Sequence, residues 1–316
     1  MKSTIVACAL ALSALFASAA SADPAPNAAF AWQGTTGWLP LEIRSDHHVY
    51  LKVQANGHEA VAMLDPNTPH TVVDAAFAQT IALKAGDALE LGMPRLAVRG
   101  LSPAVKDLAP LKAALHHPVG VIIGADALSL VVADIDLLGH RISLNDESGY
   151  SFPDIARFTR LEHDGDAWLV PVSVGGGRSA RFALDLIASD QVQLAPDYAR
   201  SLSLEPVAAP MLVSDDGSTP NGHVTLDQMK FAGVVQTNVV ADVPQQLRSA
   251  YAGKAQGALG VGTLRNYRVI LDLRHERLYS LLVDQSGMNL NIFTLLQPAT
   301  PGNAVPNFGP KAGGGF

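Results

Sequence analysis

The chain has 316 residues, of which 48% are hydrophobic, and a formal net charge of −7. A chain of this length and apolar content can fill a sizeable core, which excludes general disorder. No block of lysine or arginine occurs in the sequence, so no nucleic-acid partner is expected, because phosphate binding needs clustered cations.

Residues 1–22 predict a signal peptide. Lys2 precedes an apolar run from Ile5 to Ala19, and Ala20-Ser21-Ala22 has the small-x-small form of a signal peptidase site. We expect cleavage after Ala22 and a periplasmic or secreted product. The only cysteine, Cys8, lies in this leader, so the mature chain would hold no disulfide and no cysteine metal site. No later apolar stretch approaches the roughly 20 residues that span a bilayer, so no membrane span is expected.

The next segment predicts a β-hairpin that ends in an aspartate. Apolar runs between Val49 and Leu64 are separated by Asn56-Gly57, a strong hairpin signal because both residues tolerate positive φ. Asp65 follows directly. Farther on, Ile122-Ile123-Gly124 precedes a short apolar stretch and another strand.

A second segment repeats this order. A strand from Leu169, the turn Gly175-Gly176-Gly177 and a strand ending at Leu184 lead directly to Asp185. Ala258-Leu259-Gly260 then matches Ile122-Ile123-Gly124, and we call these two segments the glycine phrases. The two glycines are farther apart in sequence than the two aspartates, which places an insertion in the second segment, around Val213 to His223. The sequence therefore predicts an internal duplication.

These repeated elements resemble the aspartic proteases of pepsin and retropepsin type, over roughly residues 38–283. In that family each half has a strand, an Asp-Thr-Gly loop, a flap hairpin and an apolar-apolar-Gly phrase. The resemblance implies a mainly β, two-lobed fold of duplicated retropepsin-like β-barrel halves with short helices. Its lobes would span 38–150 and 165–283, followed by a Pro/Gly-rich tail at 284–316 whose last part we expect to be disordered.

The resemblance also implies a chemistry. Asp65 and Asp185 would be a catalytic pair, in which carboxylates about 3 Å apart share one proton across a bound water. Gly124 and Gly260 would belong to the supporting glycine phrases. No metal and no other cofactor is expected, and the paired histidines His47-His48 and His116-His117 are interpreted as exposed loop residues.

The loops after the aspartates depart from the family pattern. Asp65 is followed by Pro66-Asn67-Thr68 and Asp185 by Leu186-Ile187-Ala188, so neither loop has Thr-Gly. Pro66 and Leu186 cannot supply the family's hydroxyl. Asn67 tolerates left-handed φ, whereas β-branched Ile187 does not, so we expect the second loop to take another backbone path. These departures argue against ordinary protease activity.

Three functions remain open from the sequence. The chain is an atypical aspartic endopeptidase with an Asp65/Asp185 dyad or a catalytically impaired relative, a non-catalytic periplasmic peptide-binding protein that keeps the cleft, or a structural envelope protein. The expected partner is an extended peptide or an unfolded protein segment. Because the first half has only the short region Leu89–Met93 where a covering hairpin should be, we expect a lid from Val213 to His223.

Overall fold

The structure is a computed structural model that describes residues 29–32, 34–43, 48–177, 179–188, 192–208 and 222–283. The predicted signal peptide, the tail at 284–316 and nearly all of the predicted lid at Val213 to His223 lie outside these residues. The described chain is mainly β. Within it, no helix is long and apolar enough to cross a membrane.

The strands are short and most of them are buried along one or both faces. The strands before residue 146 are β1 (Ala29–Trp32), β2 (Leu39–Ile43), β3 (Val49–Ala55), β4 (His58–Leu64), β5 (Val72–Asp74), β6 (Leu89–Met93), β7 (Leu96–Leu101), β8 (Ala104–Lys106), β9 (Val121–Ile123), β10 (Val132–Asp136) and β11 (Arg141–Asn145). The strands after it are β12 (Arg157–Arg160), β13 (Glu162–Asp164), β14 (Ala167–Val174), β15 (Ser179–Leu184), β16 (Val192–Leu194), β17 (Val207–Ala208), β18 (Gly222–Phe231), β19 (Val234–Val243), β20 (Gly257–Leu259), β21 (Tyr267–Asp272) and β22 (Arg277–Leu282).

Helices are few and none exceeds two turns. They are α1 (Ala75–Thr80), α2 (Ala109–Leu115), α3 (Ala125–Leu128), α4 (Pro196–Ser201) and α5 (Val261–Leu264), with 3₁₀ turns at Glu147–Gly149 and Leu273–His275. Two of them, α3 and α5, begin directly after Gly124 and Gly260.

Both predicted hairpins are confirmed. Strands β3 and β4 pair antiparallel across Asn56-Gly57, whose φ values of 48° and 80° are those that the turn requires. Strands β14 and β15 pair antiparallel in the same way. The region Leu89–Met93 is one strand of a further hairpin, since β6 pairs with β7.

A parallel pairing places each aspartate at the end of a buried strand. Strand β4 runs parallel to β9, and β15 runs parallel to β20. The amide of Asp65 donates to the carbonyl of Ile123 at 3.0 Å, and the amide of Asp185 donates to that of Leu259 at 2.9 Å. Each aspartate is therefore held next to a glycine phrase by a backbone hydrogen bond.

The two segments of the chain meet in one sheet and one core. Strands β10 and β21 pair antiparallel and join the hairpins β10–β11 and β21–β22. The main hydrophobic cluster includes both Leu64 and Leu184, the residues immediately before the two aspartates. Asp65 and Asp185 thus emerge from the same region of the interior.

Candidate functional site

The first loop folds around the Asp65 carboxylate. The Asn67 amide donates to Oδ1 at 3.0 Å, and the Thr68 hydroxyl donates to Oδ2 at 2.6 Å. Pro66, Asn67 and Thr68 are all buried. The loop is held against Gly124, where an added Cβ would lie 2.6 Å from the Thr68 carbonyl oxygen, so this close approach requires glycine.

The second loop also folds around its aspartate carboxylate, and it shares with the first loop the bond from the amide two residues later. The amides of Ile187 and Ala188 both donate to Asp185 Oδ1 at 3.0 Å. The Val261 amide, which follows Gly260, donates to the Ala188 carbonyl at 2.9 Å, as the Ala125 amide does to Thr68 at 2.8 Å.

Neither Asn67 nor Ile187 lies in the left-handed region of φ, so the second loop avoids the backbone strain that a β-branched residue has there, and the first loop avoids that region too. In each loop the aspartate accepts from the amide two residues later, which closes the turn without a positive φ. A β-branched residue consequently fits this position without strain.

Arg248 lies between the two aspartates. Its Nη2 donates to Asp65 Oδ2 at 2.7 Å, and its Nη1 donates to Asp185 Oδ1 at 2.7 Å. Both carboxylates are fully buried, and the arginine side chain is 10% exposed. The two predicted site residues are thus brought together, each bonded to a different terminal nitrogen of one guanidinium.

Buried neighbours fix the position of Arg248. Tyr251, one turn later, donates its hydroxyl to Asp185 Oδ2 at 2.8 Å. Both Leu247 and Tyr251 belong to a hydrophobic cluster with Leu169 of β14 and Ala183 of β15. A side chain anchored between two packed neighbours is held in one place.

Sequence reasoning missed Arg248 and Tyr251. They lie three residues apart in a turn region, and nothing in the sequence connects that region to Asp65. The sequence carries no clear signal for Arg248, which lies among the polar residues Gln245, Gln246 and Ser249.

Electrostatic interactions within the cluster shift the pKa values of Asp185, Arg248 and Tyr251. Burial alone would raise the pKa of the Asp185 carboxyl, but the charge and hydrogen bond of Arg248 and the Tyr251 hydroxyl outweigh it and lower that pKa. Burial would lower the pKa of Arg248, yet the two carboxylates raise it well above its usual value. Burial and the charge of Asp185 raise the pKa of the Tyr251 hydroxyl. Asp185 and Arg248 are therefore ionised, and Tyr251 is a neutral donor.

Further contacts cross between the two loops. The Asn67 side chain donates from Nδ2 to the Leu184 carbonyl at 2.7 Å, and its Oδ1 accepts from the Trp168 amide at 2.9 Å. Ile187 packs in the opposite direction, into a cluster with Met63 and Ile122. Leu186 is buried in the main core. The loop residues thus join the two segments.

Comparisons with known proteins do not assign the chain to a family. No protein-family model matches the chain, and no curated protein matches it. Among solved structures, a retropepsin-like aspartic protease from Rickettsia conorii is similar at 15% sequence identity, over 40% of this chain and 89% of that one, with a TM-score of 0.29. A likeness of that size carries no argument about activity.

Proposed function

We propose that this chain is an exported, aspartic-protease-like protein of two related halves that does not hydrolyse peptides. In this proposal the aspartates act in structure, as the acidic partners of Arg248. The observation that carries the proposal is the guanidinium bonded at 2.7 Å to both Asp65 and Asp185.

Arg248 is incompatible with the shared proton and the bound water that catalysis by an aspartic protease needs. Such an enzyme holds one proton between two carboxylates, so that one activates a water and the other polarises the carbonyl. A permanently charged guanidinium between the carboxylates favours their ionised forms and takes the place of that water. Moving it away would leave buried carboxylates without a counter-charge, which costs several kcal/mol, about 3–5.

The matching arrangements on the two sides support the proposed duplication. Each side has a parallel strand pair, an aspartate at its end, a carboxylate-capped loop and a glycine phrase that opens a short helix. A copied unit accounts for all four features together.

A second candidate role is the binding of an extended peptide by strand addition. Strands β8 and β17 end their sheets within the described residues, and Val105 and Val207 on them are exposed. An edge strand of this kind can pair with an added strand through its main chain.

Incubation with unfolded casein tests the main proposal. We expect the purified mature chain to leave casein intact at every pH from 3 to 7, while pepsin cuts it at the acidic end. Fragments produced by the wild-type chain and abolished by Asp65→Asn would contradict the proposal. Fragments that persist in Asp65→Asn come from a contaminating protease, so the preparation is repurified and the comparison repeated.

The second role has its own measurement. Pull-down of the chain on immobilised, unfolded casein should give saturable retention if strand addition occurs. The substitution Val207→Pro removes a backbone N–H of the edge strand and should reduce that retention. Retention equal to that of a bare matrix would exclude this role.

A further inference from the structure

A cluster of three metal-ligating side chains lies away from the aspartates, at the junction of the two halves. Glu147 belongs to the 3₁₀ turn that follows β11, and His275 belongs to the 3₁₀ turn that follows β21. Asp272 is the last residue of β21. One nitrogen or oxygen from each of the three lies within 4.8 Å of the others.

The contacts at His275 exceed what one proton can satisfy. Its Nδ1 is 3.0 Å and 3.1 Å from the two oxygens of Asp272, and 3.3 Å from Glu147 Oε1. An imidazole Nδ1 carries at most one hydrogen. Two carboxylates converging on one nitrogen are satisfied more fully by a divalent cation, which attracts both of them and accepts the lone pair of Nδ1.

We propose that Glu147, Asp272 and His275 form a divalent-metal site suited to Zn²⁺. Zinc binds nitrogen and carboxylate oxygen at about 2.0–2.2 Å, so its tetrahedral ligands are roughly 3.3–3.5 Å apart. The distances from His275 Nδ1 to the carboxylate oxygens, 3.0 to 3.3 Å, need only a small expansion, and the ligand atoms of the two carboxylates lie within 4.8 Å of each other. A mixed imidazole and carboxylate set favours zinc over magnesium or calcium, which prefer oxygen alone.

The exposures of the three residues fit a metal site at the surface in which one ligand, Asp272, is buried and held in place. Asp272 is 2% exposed and is oriented by the His275 amide, which donates to Oδ1 at 3.2 Å. Glu147 is 41% exposed, so a fourth position can be taken by water. The bound metal would tie the turn after β11 to the turn after β21, and so connect the two halves.

Calorimetric titration of the metal-stripped full chain with ZnCl₂ tests this site. We expect one saturable Zn²⁺ per chain, and binding at least about tenfold weaker in Glu147→Gln and in His275→Ala. Glu147 is exposed, so its substitution should leave the metal-free melting temperature unchanged. Zinc should raise the melting temperature of the wild type but not of Glu147→Gln, because only the folded site binds the metal.

A matched control comes from another histidine. His223 lies against the carboxylate of Asp242, and within the described residues no second carboxylate pairs with it. His223→Ala should bind Zn²⁺ as the wild type does. The proposal is overturned if the wild type shows no saturable binding, if MgCl₂ titrates equally well, or if His223→Ala loses as much affinity as His275→Ala.

Discussion

Arg248, Asp65 and Asp185 form a buried polar cluster in which both acidic side chains are fully buried. Its carboxyl oxygens are well supplied with donors, because the Thr68 and Tyr251 hydroxyls and three loop amides all donate to them. A buried ion cluster is not by itself evidence of high stability, but removing one member lowers the free energy of unfolding strongly.

Arg248→Gln should therefore lower the free energy of unfolding by about 3–5 kcal/mol at pH 7, since two buried carboxylates lose their counter-charge. Urea denaturation followed by circular dichroism measures this loss. Arg181→Gln is the control, because Arg181 also contacts two carboxylates, Glu162 and Asp164, but at the surface. Its loss should stay under about 1 kcal/mol. Equal losses for both variants would contradict a special role for Arg248.

The loss in Arg248→Gln should depend on pH. In the wild type the pKa of Asp185 is lowered on folding, so its stabilising contribution is present above the unfolded value near 3.9 and is lost as pH falls through the folded value. Without Arg248, protonation removes the unpaired charges. The difference between variant and wild type should accordingly be smaller at pH 4 than at pH 7.

Among the structural elements, the carboxylate-capped loops depend on contacts that residue preferences alone do not encode. The strands and turns before Asp65 and Asp185 follow from Asn-Gly and Gly-Gly signals, which act locally. The loop path could not be predicted from φ preferences alone. In both loops the aspartate side chain accepts from the amide two residues later, and the residue at that position does not have a positive φ.

Asn67 gives a direct measure of how the loops join the two segments. Asn67→Ala leaves the Leu184 carbonyl and the Trp168 amide without their buried partner, which should cost roughly 2–4 kcal/mol for two groups. Denaturation at pH 7 measures the change. Asn266→Ala, at an exposed position, should stay within about 0.5 kcal/mol. A loss for Asn67→Ala no larger than this would show that the crossing bonds contribute nothing.

Helix α3 contains a buried acid, Asp126, whose pKa is shifted in the opposite direction from that of Asp185. Burial raises the pKa of the Asp126 carboxyl despite its hydrogen bonds from Thr71 and Ala127. The folded state therefore holds this proton more tightly, and stability falls as pH rises from the unfolded pKa through the folded one. Asp126→Asn removes the ionisation, so its unfolding free energy relative to wild type should increase from pH 4 to pH 7. A difference that does not change with pH would contradict this assignment.

At the scale of the whole molecule, the repeated order of elements, together with its resemblance to the two-lobed aspartic proteases, predicted that the two aspartates lie close together. It could not predict Arg248. The contacts of Arg248 reach back 183 residues to Asp65 and 63 residues to Asp185, and they depend on how Leu247 and Tyr251 pack against two strands. Such long-range packing leaves no periodic signal in the sequence, so the chemistry of the site became visible only in three dimensions.

The combined variant Asp65→Asn, Asp185→Asn, Arg248→Gln tests the cluster as one unit. It removes all three charges at once and keeps groups that can hydrogen-bond, so no buried charge is left unpaired. We expect it to recover most of the stability that Arg248→Gln loses at pH 7, because substitutions in contact are strongly non-additive. Its stability should also change less than that of the wild type between pH 5 and pH 3, since the titrating carboxylate of Asp185 is gone. Urea denaturation across that range makes the comparison, and a combined variant no more stable than Arg248→Gln would mean that lost packing, rather than unpaired charge, causes the loss.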